Sequence, residues 1–291
     1  MATVEKKPVG PDEDPIKQFD LSVSRDAIPG GRQFHNLLTE AGNMVAFSFR
    51  ALREVPGALR YGSEILRHTR ELIVGTTGLM LFLMSMLAGV TALFGSYVLR
   101  SIGASDYVGL FTAFSGTRAT VPIMFGYVFA AKVCCGMVAE IGSMRISDEI
   151  EAFESVGLGP VRFVVTPRLL AVWLYTPIIF CLSSLVVSLA QGFFVVHVVG
   201  EVSQGNWSSV HWSLASVSDQ FYAFIEVLTI ATGTTLAACY YGFSVRGGPA
   251  DVGIATGRSM IINLIFVHVV FGLGSLIFYG PNPLLPVGAA A

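Results

Sequence analysis

The polar stretch EIGSMRISDEIEAFESVGLGPVRFVVTPRLLA occupies residues 140–171, between two long apolar runs. Glu149, Glu151 and Glu154 give its centre an acidic character, and the Gly-Leu-Gly-Pro sequence at residues 157–160 is typical of a turn. Apolar runs of about 20 residues are long enough to cross a bilayer, whereas charged residues avoid its interior. The stretch therefore predicts a short acidic helix at a membrane surface, between two spanning segments and exposed to water.

The composition of the whole chain favours a membrane protein. Of the 291 residues, 53% are hydrophobic and only 13% are charged, whereas soluble domains carry roughly 25% charged residues. The formal net charge of −2 provides no bulk attraction to nucleic acid. We therefore expect a single all-α integral membrane bundle and no nucleic-acid partner.

The cysteines predict neither disulfides nor a metal site. All four lie inside apolar runs and lack the spacing of a disulfide framework or of metal ligands; they are Cys134, Cys135, Cys181 and Cys239. We expect them to be small packing residues. The sequence also contains no phosphate-binding P-loop. We therefore expect no metal and no cofactor on this chain.

Two segments precede the first apolar run. Residues 1–32 are rich in Pro and Gly and lack the apolar core of a signal peptide, which predicts a disordered cytoplasmic tail. Residues 33–70 predict a basic amphipathic helix at the membrane interface, divided at Pro56 and Gly57. An ordinary soluble helix is the alternative. The apolar face consists of Phe34, Leu37, Leu38, Ala41, Val45, Phe49 and Leu52.

The remaining chain, residues 71–280, predicts about five transmembrane helices. Their approximate extents are 72–99, 107–144, 164–199, 221–243 and 260–279. The second run is too long for one straight span and contains Pro122 and Gly126, so we expect a short re-entrant piece followed by a full span. Pro177 predicts a kink in the third span.

The distribution of Lys and Arg predicts the orientation in the membrane. With the N-terminus in the cytoplasm, the inner segments carry most of the basic residues, whereas the loop at 200–219 has no Lys or Arg. Arg100 is the one basic residue near an outer loop. Five spans then place the acidic helix in the cytoplasm and residues 281–291 outside as an extracytoplasmic tail.

Two blocks of sequence match a known pattern in the same order. The first is AEIGSMRIS at 139–147 with EIEAF at 149–153, Gly157, Pro160 and PRLLA at 167–171. The second is CYYG at 239–242 with GGPADVGIAT at 247–256. They resemble the MlaE/YrbE permease family, the membrane subunits of MCE-type lipid-transporting ABC systems. The resemblance covers nearly everything after residue 70 and is greatest to an actinobacterial YrbE subunit of the B type.

The resemblance implies a role without catalysis. A permease of this family would move lipids, with fatty acids and import favoured, through the inner (plasma) membrane. ATP and Mg would be bound by two ATPase subunits, and a ring of MCE proteins would sit on the outer face. The acidic helix would be the coupling helix that contacts the ATPase, and the residues that the resemblance assigns to this contact are Arg145, Asp148, Glu149, Glu151, Glu154 and Gly157.

Other residues are expected to support the coupling helix. Glu140, Pro167 and Arg168 flank it in sequence. Gly247 and Gly248 precede a proline, and without a following lysine we interpret them as a tight cytoplasmic turn packed against the coupling helix rather than as a phosphate cradle.

Three further charges fall inside the spans, at Arg118, Lys132 and Glu226. Each costs about 2.5–3.5 kcal/mol at the centre of a membrane helix. They line a cavity, contact a lipid headgroup, or pair between helices; snorkelling is a further alternative, and pairing is favoured for Lys132 and Glu226. The family usually has Arg at the position of Lys132 and often Lys at that of Glu226. The loss of the usual cation at position 226 suggests that the second YrbE-type permease is not identical to this chain, and thus that the two form a heterodimer.

Two other classes of protein remain as alternatives. An ion-coupled secondary carrier needs inverted repeats, and no convincing internal repeat is present. An integral membrane acyltransferase needs a cluster of His, Asp or Ser at the interface. The histidines are scattered along the sequence, at His35, His68, His197, His211 and His268.

Overall fold

The computed structural model describes residues 31–280, with side-chain surroundings from residue 39 onward. The tail expected at residues 281–291 lies outside this part, as do residues 1–30 of the tail expected at residues 1–32, whereas residues 31–32 begin the first helix. Every regular element within residues 31–280 is helical, which confirms the all-α prediction. The helices are α1 (Gly31–Arg53), α2 (Val55–Ala58), α3 (Gly62–Ser101), α4 (Ser105–Ile146), α5 (Glu149–Ser155), α6 (Val161–Val199), α7 (Gln204–Leu214), α8 (Val217–Phe243) and α9 (Pro249–Tyr279).

The amphipathic region is interrupted near the predicted position. Helix α1 ends at Arg53, and Pro56 lies in the first turn of α2, where its missing N–H costs no hydrogen bond. Phe47 packs its ring against Phe243 of α8 at 5.7 Å between centroids, while Phe49 remains 69% exposed. The helix therefore presents an apolar surface away from the bundle. Helix α3 starts at Gly62, so residues 62–70 belong to the first long helix.

Five helices are long and apolar enough to cross a membrane: α3, α4, α6, α8 and α9. Helices α3, α4 and α6 contain 40, 42 and 39 residues. A helix of 40 residues is about 60 Å long, roughly twice the ~30 Å hydrocarbon layer. The long apolar runs therefore reflect helices that project beyond the bilayer.

The re-entrant piece expected in the second span is absent from the structure. Helix α4 continues from Val108 to Ile146 and contains two π-helical turns, at Gly116–Thr120 and Phe129–Cys134. Pro122 lies in the first α-helical turn after the first π-helical turn, and the chain continues through it without reversing direction. The prediction of a re-entrant piece was wrong. A helix of this length can extend beyond the bilayer, so the chain does not need to fold back inside it.

The core lies where α3 packs against α6 and where α8 packs against α4 and α9. Its largest buried side chains include Met80, Met84, Phe125, Phe129 and Tyr175, each less than 2% exposed. Helix α6 also contains π turns, at Val161–Val165 and Phe194–Val199, and remains helical through Pro177. This packing fixes the end of α4 and the start of α6 on either side of α5.

Candidate functional site

Helix α5 is the predicted short acidic helix, and both of its ends are sharp turns. Asp148 precedes it with a left-handed backbone conformation, at a φ of 58°. Gly157 follows with a φ of 78°, a conformation that glycine adopts without strain. Ile150 anchors the helix because its side chain is only 1% exposed and joins the cluster around Ile141. Helix α5 is thus anchored to the bundle by Ile150 on one face and exposed on the other.

The open face of α5 is acidic. Glu149 and Glu151 are both exposed, and Val156 at the end of the helix is 71% exposed. Arg145 pairs with Glu151 at 2.7 Å between Nη1 and Oε1, and the Ser147 hydroxyl donates to Glu149 at 3.1 Å. These contacts fix the carboxylates without covering them. A partner surface that matches this face needs basic groups around an apolar pocket.

A buried arginine joins the two spans on either side of α5. The Arg168 guanidinium donates from Nη2 to the Glu140 carboxylate at 2.6 Å and from Nη1 to the Val164 carbonyl at 2.6 Å. The Arg168 side chain is 5% exposed. Pro167 occupies the first turn of the α-helical part of α6 and is buried. The structure thus brings together the two charged residues that were expected to support the coupling helix.

The amphipathic region is attached to the same end of the molecule by contacts that the sequence did not predict. Arg162 donates to Glu54 from Nε at 2.6 Å, and its Nη2 lies 2.6 Å from the same oxygen. The Phe163 ring contacts Phe153 of α5 at 5.0 Å and Tyr61 at 5.4 Å between centroids. No periodic pattern in the sequence links these positions, because 108 residues separate Glu54 from Arg162. Movement of α5 would therefore reach the segment between α1 and α3.

The glycine pair forms the predicted tight turn before α9. Gly247 has a φ of 116°, and the Gly248 amide donates to the Asp251 carboxylate at 3.0 Å. A Cβ on Gly142 of α4 would lie 3.0 Å from Val252 and 3.2 Å from Val245. The turn is therefore packed against α4 near Gly142.

At the other end of the bundle, Arg118 pairs with a residue that the sequence analysis missed. Its guanidinium donates to Asp219 from Nε at 3.1 Å and from Nη2 at 2.8 Å. The Arg118 guanidinium also lies over the rings of Phe114 and Tyr279, at 4.3 and 4.4 Å from their centroids. Both charged side chains are largely buried. The sequence feature that could have predicted this pair was Asp219, an acidic residue at the start of an apolar span with no basic residue near it in sequence.

The pairing between helices that was favoured for Lys132 and Glu226 is not seen for either side chain among residues 39–280. Glu226 is 1% exposed, and neither of its carboxyl oxygens has a hydrogen-bond partner among residues 39–280. Lys132 is exposed on the surface of α4 instead. The two side chains point in different directions because Glu226 faces Gly274 of α9, inside the bundle. Glu226 is thus not available at a surface where a second permease could contact it.

Helix α7 closes the end of the bundle that lies away from α5, with a buried polar network. Trp207 donates from Nε1 to the Thr112 hydroxyl at 3.1 Å, and His211 Nδ1 lies 3.1 Å from the same hydroxyl. The Trp207 and His211 rings stack at 4.6 Å between centroids. Burial lowers the pKa of His211 to about 4. The network keeps α7 fixed against α4.

Five apolar helices with a short polar helix at one end define a multi-pass membrane protein. The Permease MlaE family model matches residues 65–277, and the chain therefore belongs to the MlaE permease family. The protein is accordingly a non-catalytic membrane subunit of an ABC transporter. This finding removes the secondary-carrier and acyltransferase alternatives.

Relatives from three bacteria are similar to this chain over much of its length. A probable ABC transporter permease of Synechocystis is 26% identical over 61% of this chain and 68% of its own. The intermembrane phospholipid transport system permease protein MlaE of Haemophilus influenzae is 26% identical over 82% of this chain and 99% of its own. A probable ABC transporter permease of Rickettsia felis is 22% identical over 82% and 92% of the two chains.

Proposed function

We propose that this chain is the permease of an MCE-type ABC system that moves lipids through the cell envelope, with fatty acids and import favoured. The Haemophilus relative is described as a phospholipid transport permease, which supports a lipid substrate. The five apolar helices provide the surroundings that acyl chains need. In this proposal ATP and Mg are bound by two separate ATPase subunits.

The observation that carries the proposal is the construction of α5. An isolated solvated loop would not need a buried anchor at Ile150 or two left-handed turns at its ends. The helix is short, rigid and acidic, as a contact with a soluble partner requires. A push on α5 reaches α4 through Arg145 and reaches α6 through the Glu140–Arg168 pair. The permease thus converts movement of the ATPase into movement of two spans.

The remaining partners and the orientation belong to the same proposal. The N-terminus and α5 face the cytoplasm, the C-terminus lies outside, and the MCE ring sits on the outer face above α7. A second YrbE-type permease completes the membrane core as a heterodimer. This part rests on the family resemblance, because Glu226 is buried within its own chain and provides no charge repulsion between two copies.

Reversing the charge of α5 tests the ATPase contact. We expect the Glu149→Lys, Glu151→Lys double variant to insert normally but to lose the ATPase when the complex is purified from membranes, since the exposed charge of α5 is reversed and the Arg145–Glu151 pair is lost. Glu71→Lys is the matched control, because Glu71 is an exposed carboxylate near the same end of the bundle as α5. Full ATPase recovery and full transport by the double variant would show that α5 is not the coupling helix.

A further inference from the structure

Helices α4 and α9 meet at a surface that carries polar groups. Tyr127 of α4 is half-buried and lies against the exposed His268 of α9, and Lys132 is exposed five residues further along α4. His268 Nδ1 donates to the Leu264 carbonyl at 2.8 Å, so its Nε2 accepts the hydrogen bond from the Tyr127 hydroxyl, also at 2.8 Å. We call Tyr127, Lys132 and His268 the polar patch.

The polar patch lies deep within the span. Eight residues separate Lys132 from Glu140 near the inner end of α4, which corresponds to about 12 Å of helix. Fourteen residues separate Lys132 from Arg118 towards the outer end, or about 21 Å. Together these lengths are close to the ~30 Å hydrocarbon thickness. Lys132 is therefore near the middle of the bilayer, and Tyr127 and His268 lie further outward.

An exposed lysine at this depth is not facing acyl chains alone. No carboxylate among residues 39–280 forms an ion pair with Lys132. Charged groups within membrane spans face a cavity, a partner group or a pathway. Lys132 also sits in a π-helical turn, a feature frequent at functional sites. Its exposed neighbours Ala131 and Gly136 are small, and a Cβ on Gly136 would meet nothing within 4 Å.

We propose that Lys132 binds the anionic headgroup of the transported lipid at the polar patch. The inference rests on the proposed lipid transport and adds the charge of the substrate. The ammonium supplies the positive charge, and the small residues leave room for an alkyl chain. A fatty-acid carboxylate and a phosphodiester share this chemistry. A neutral or zwitterionic lipid gains no net charge attraction from the site.

Spin-labelled lipids measure this preference directly. The complex that contains this chain is purified from its own membrane and placed in phosphatidylcholine vesicles with trace stearic acid, phosphatidylglycerol or phosphatidylcholine, each carrying a nitroxide at the same chain position. We expect the protein to immobilise at least one acidic label about two- to fivefold more than the zwitterionic label. The two acidic labels distinguish a carboxylate from a phosphodiester.

Substitutions assign the preference to Lys132. We expect Lys132→Met to abolish it, Lys132→Arg to retain it, and Arg67→Met, which removes an exposed cation from α3, to leave it unchanged. Lys132→Gln is the second neutral variant if Lys132→Met does not assemble. Absence of any preference in the unmodified complex overturns the proposal, as does a preference that survives both neutral variants.

The ATPase contact is measured separately, by recovery of the ATPase with the complex. Loss of the lipid preference with normal ATPase recovery supports the role of Lys132. Loss of the second permease in the neutral variants, with the lipid preference unchanged, would show that Lys132 pairs with a carboxylate of that partner and would overturn the headgroup site. Failure of the α5 charge reversal to release the ATPase would contradict the proposed function without changing the lipid result.

Discussion

The carboxyl group of Glu226 occupies the space that a side chain on Gly274 would fill. Glu226 lies on α8 and Gly274 on α9, so the absence of a Cβ at one position makes room for a polar group at the other. Both are buried, and no described residue donates a hydrogen bond to either carboxyl oxygen. The contact between the fourth and fifth spans thus depends on one particular glycine.

Adding a methyl group at this contact should destabilise the bundle. We expect Gly274→Ala to cost about 1–3 kcal/mol, because the new Cβ overlaps the Glu226 carboxyl. The measurement is thermal unfolding of the purified complex in detergent. Gly272→Ala is the matched control, since a Cβ there meets nothing within 4 Å. Equal effects of the two substitutions would show that the bundle relaxes around Glu226.

The Arg118–Asp219 pair should be strongly coupled. Removing one partner leaves a buried charge unpaired, so we expect Arg118→Gln and Asp219→Asn each to cost about 3–5 kcal/mol, with the double variant well below their sum. A double-mutant cycle on unfolding in detergent measures the coupling. For the exposed pair Arg100–Glu201, we expect a coupling free energy of less than about 1 kcal/mol. Additive effects at Arg118 and Asp219 would contradict a buried ion pair.

Helix α7 should become less stable in acid. The pKa of His211 is about 4 in the folded protein and 6.5 in the reference state, so the unfolded segment binds a proton at a higher pH. Stability is therefore present above pH 6.5 and is lost as the pH falls towards 4, by about 2 kcal/mol between pH 7 and 5. Hydrogen exchange of α7, corrected for intrinsic rates, reports the loss. His211→Gln should remove this pH dependence, and an unchanged dependence would assign it elsewhere.

Cysteine labelling tests the orientation. In a variant without the four native cysteines, Ser209→Cys on α7 should react with an impermeant maleimide on intact cells, and Ser147→Cys beside α5 should react only after lysis. Both serines are exposed, so accessibility is matched. The expectation follows from the excess of Lys and Arg on one side of the spans. The reverse labelling pattern would overturn the orientation and, with it, the ATPase contact at α5.

Patterns among residues close together in the sequence predicted the helices of this fold better than they predicted the contacts between helices. Charge flanked by apolar runs located α5, and Pro56 located the break after α1, because both effects act within a few residues. The Arg118–Asp219 pair escaped because its members are 101 residues apart in sequence. Glu140 and Arg168 were grouped from their places on either side of α5, and the structure joins them in an ion pair, whereas the Glu54–Arg162 contact has no local signature. Glu226 was interpreted as a paired charge because the sequence does not show the space left by Gly274.

The π turns of α4 and α6 mark the places where these helices can lose one residue. Each π turn accommodates one residue more than an α-helical turn would. Deleting one residue from the turn at Phe129–Cys134 can convert it to an α-helical turn and leave the helices on both sides in phase. The same deletion within Val121–Val128 would rotate everything beyond it by about 100°. Single-residue gaps among related sequences should therefore concentrate at these turns.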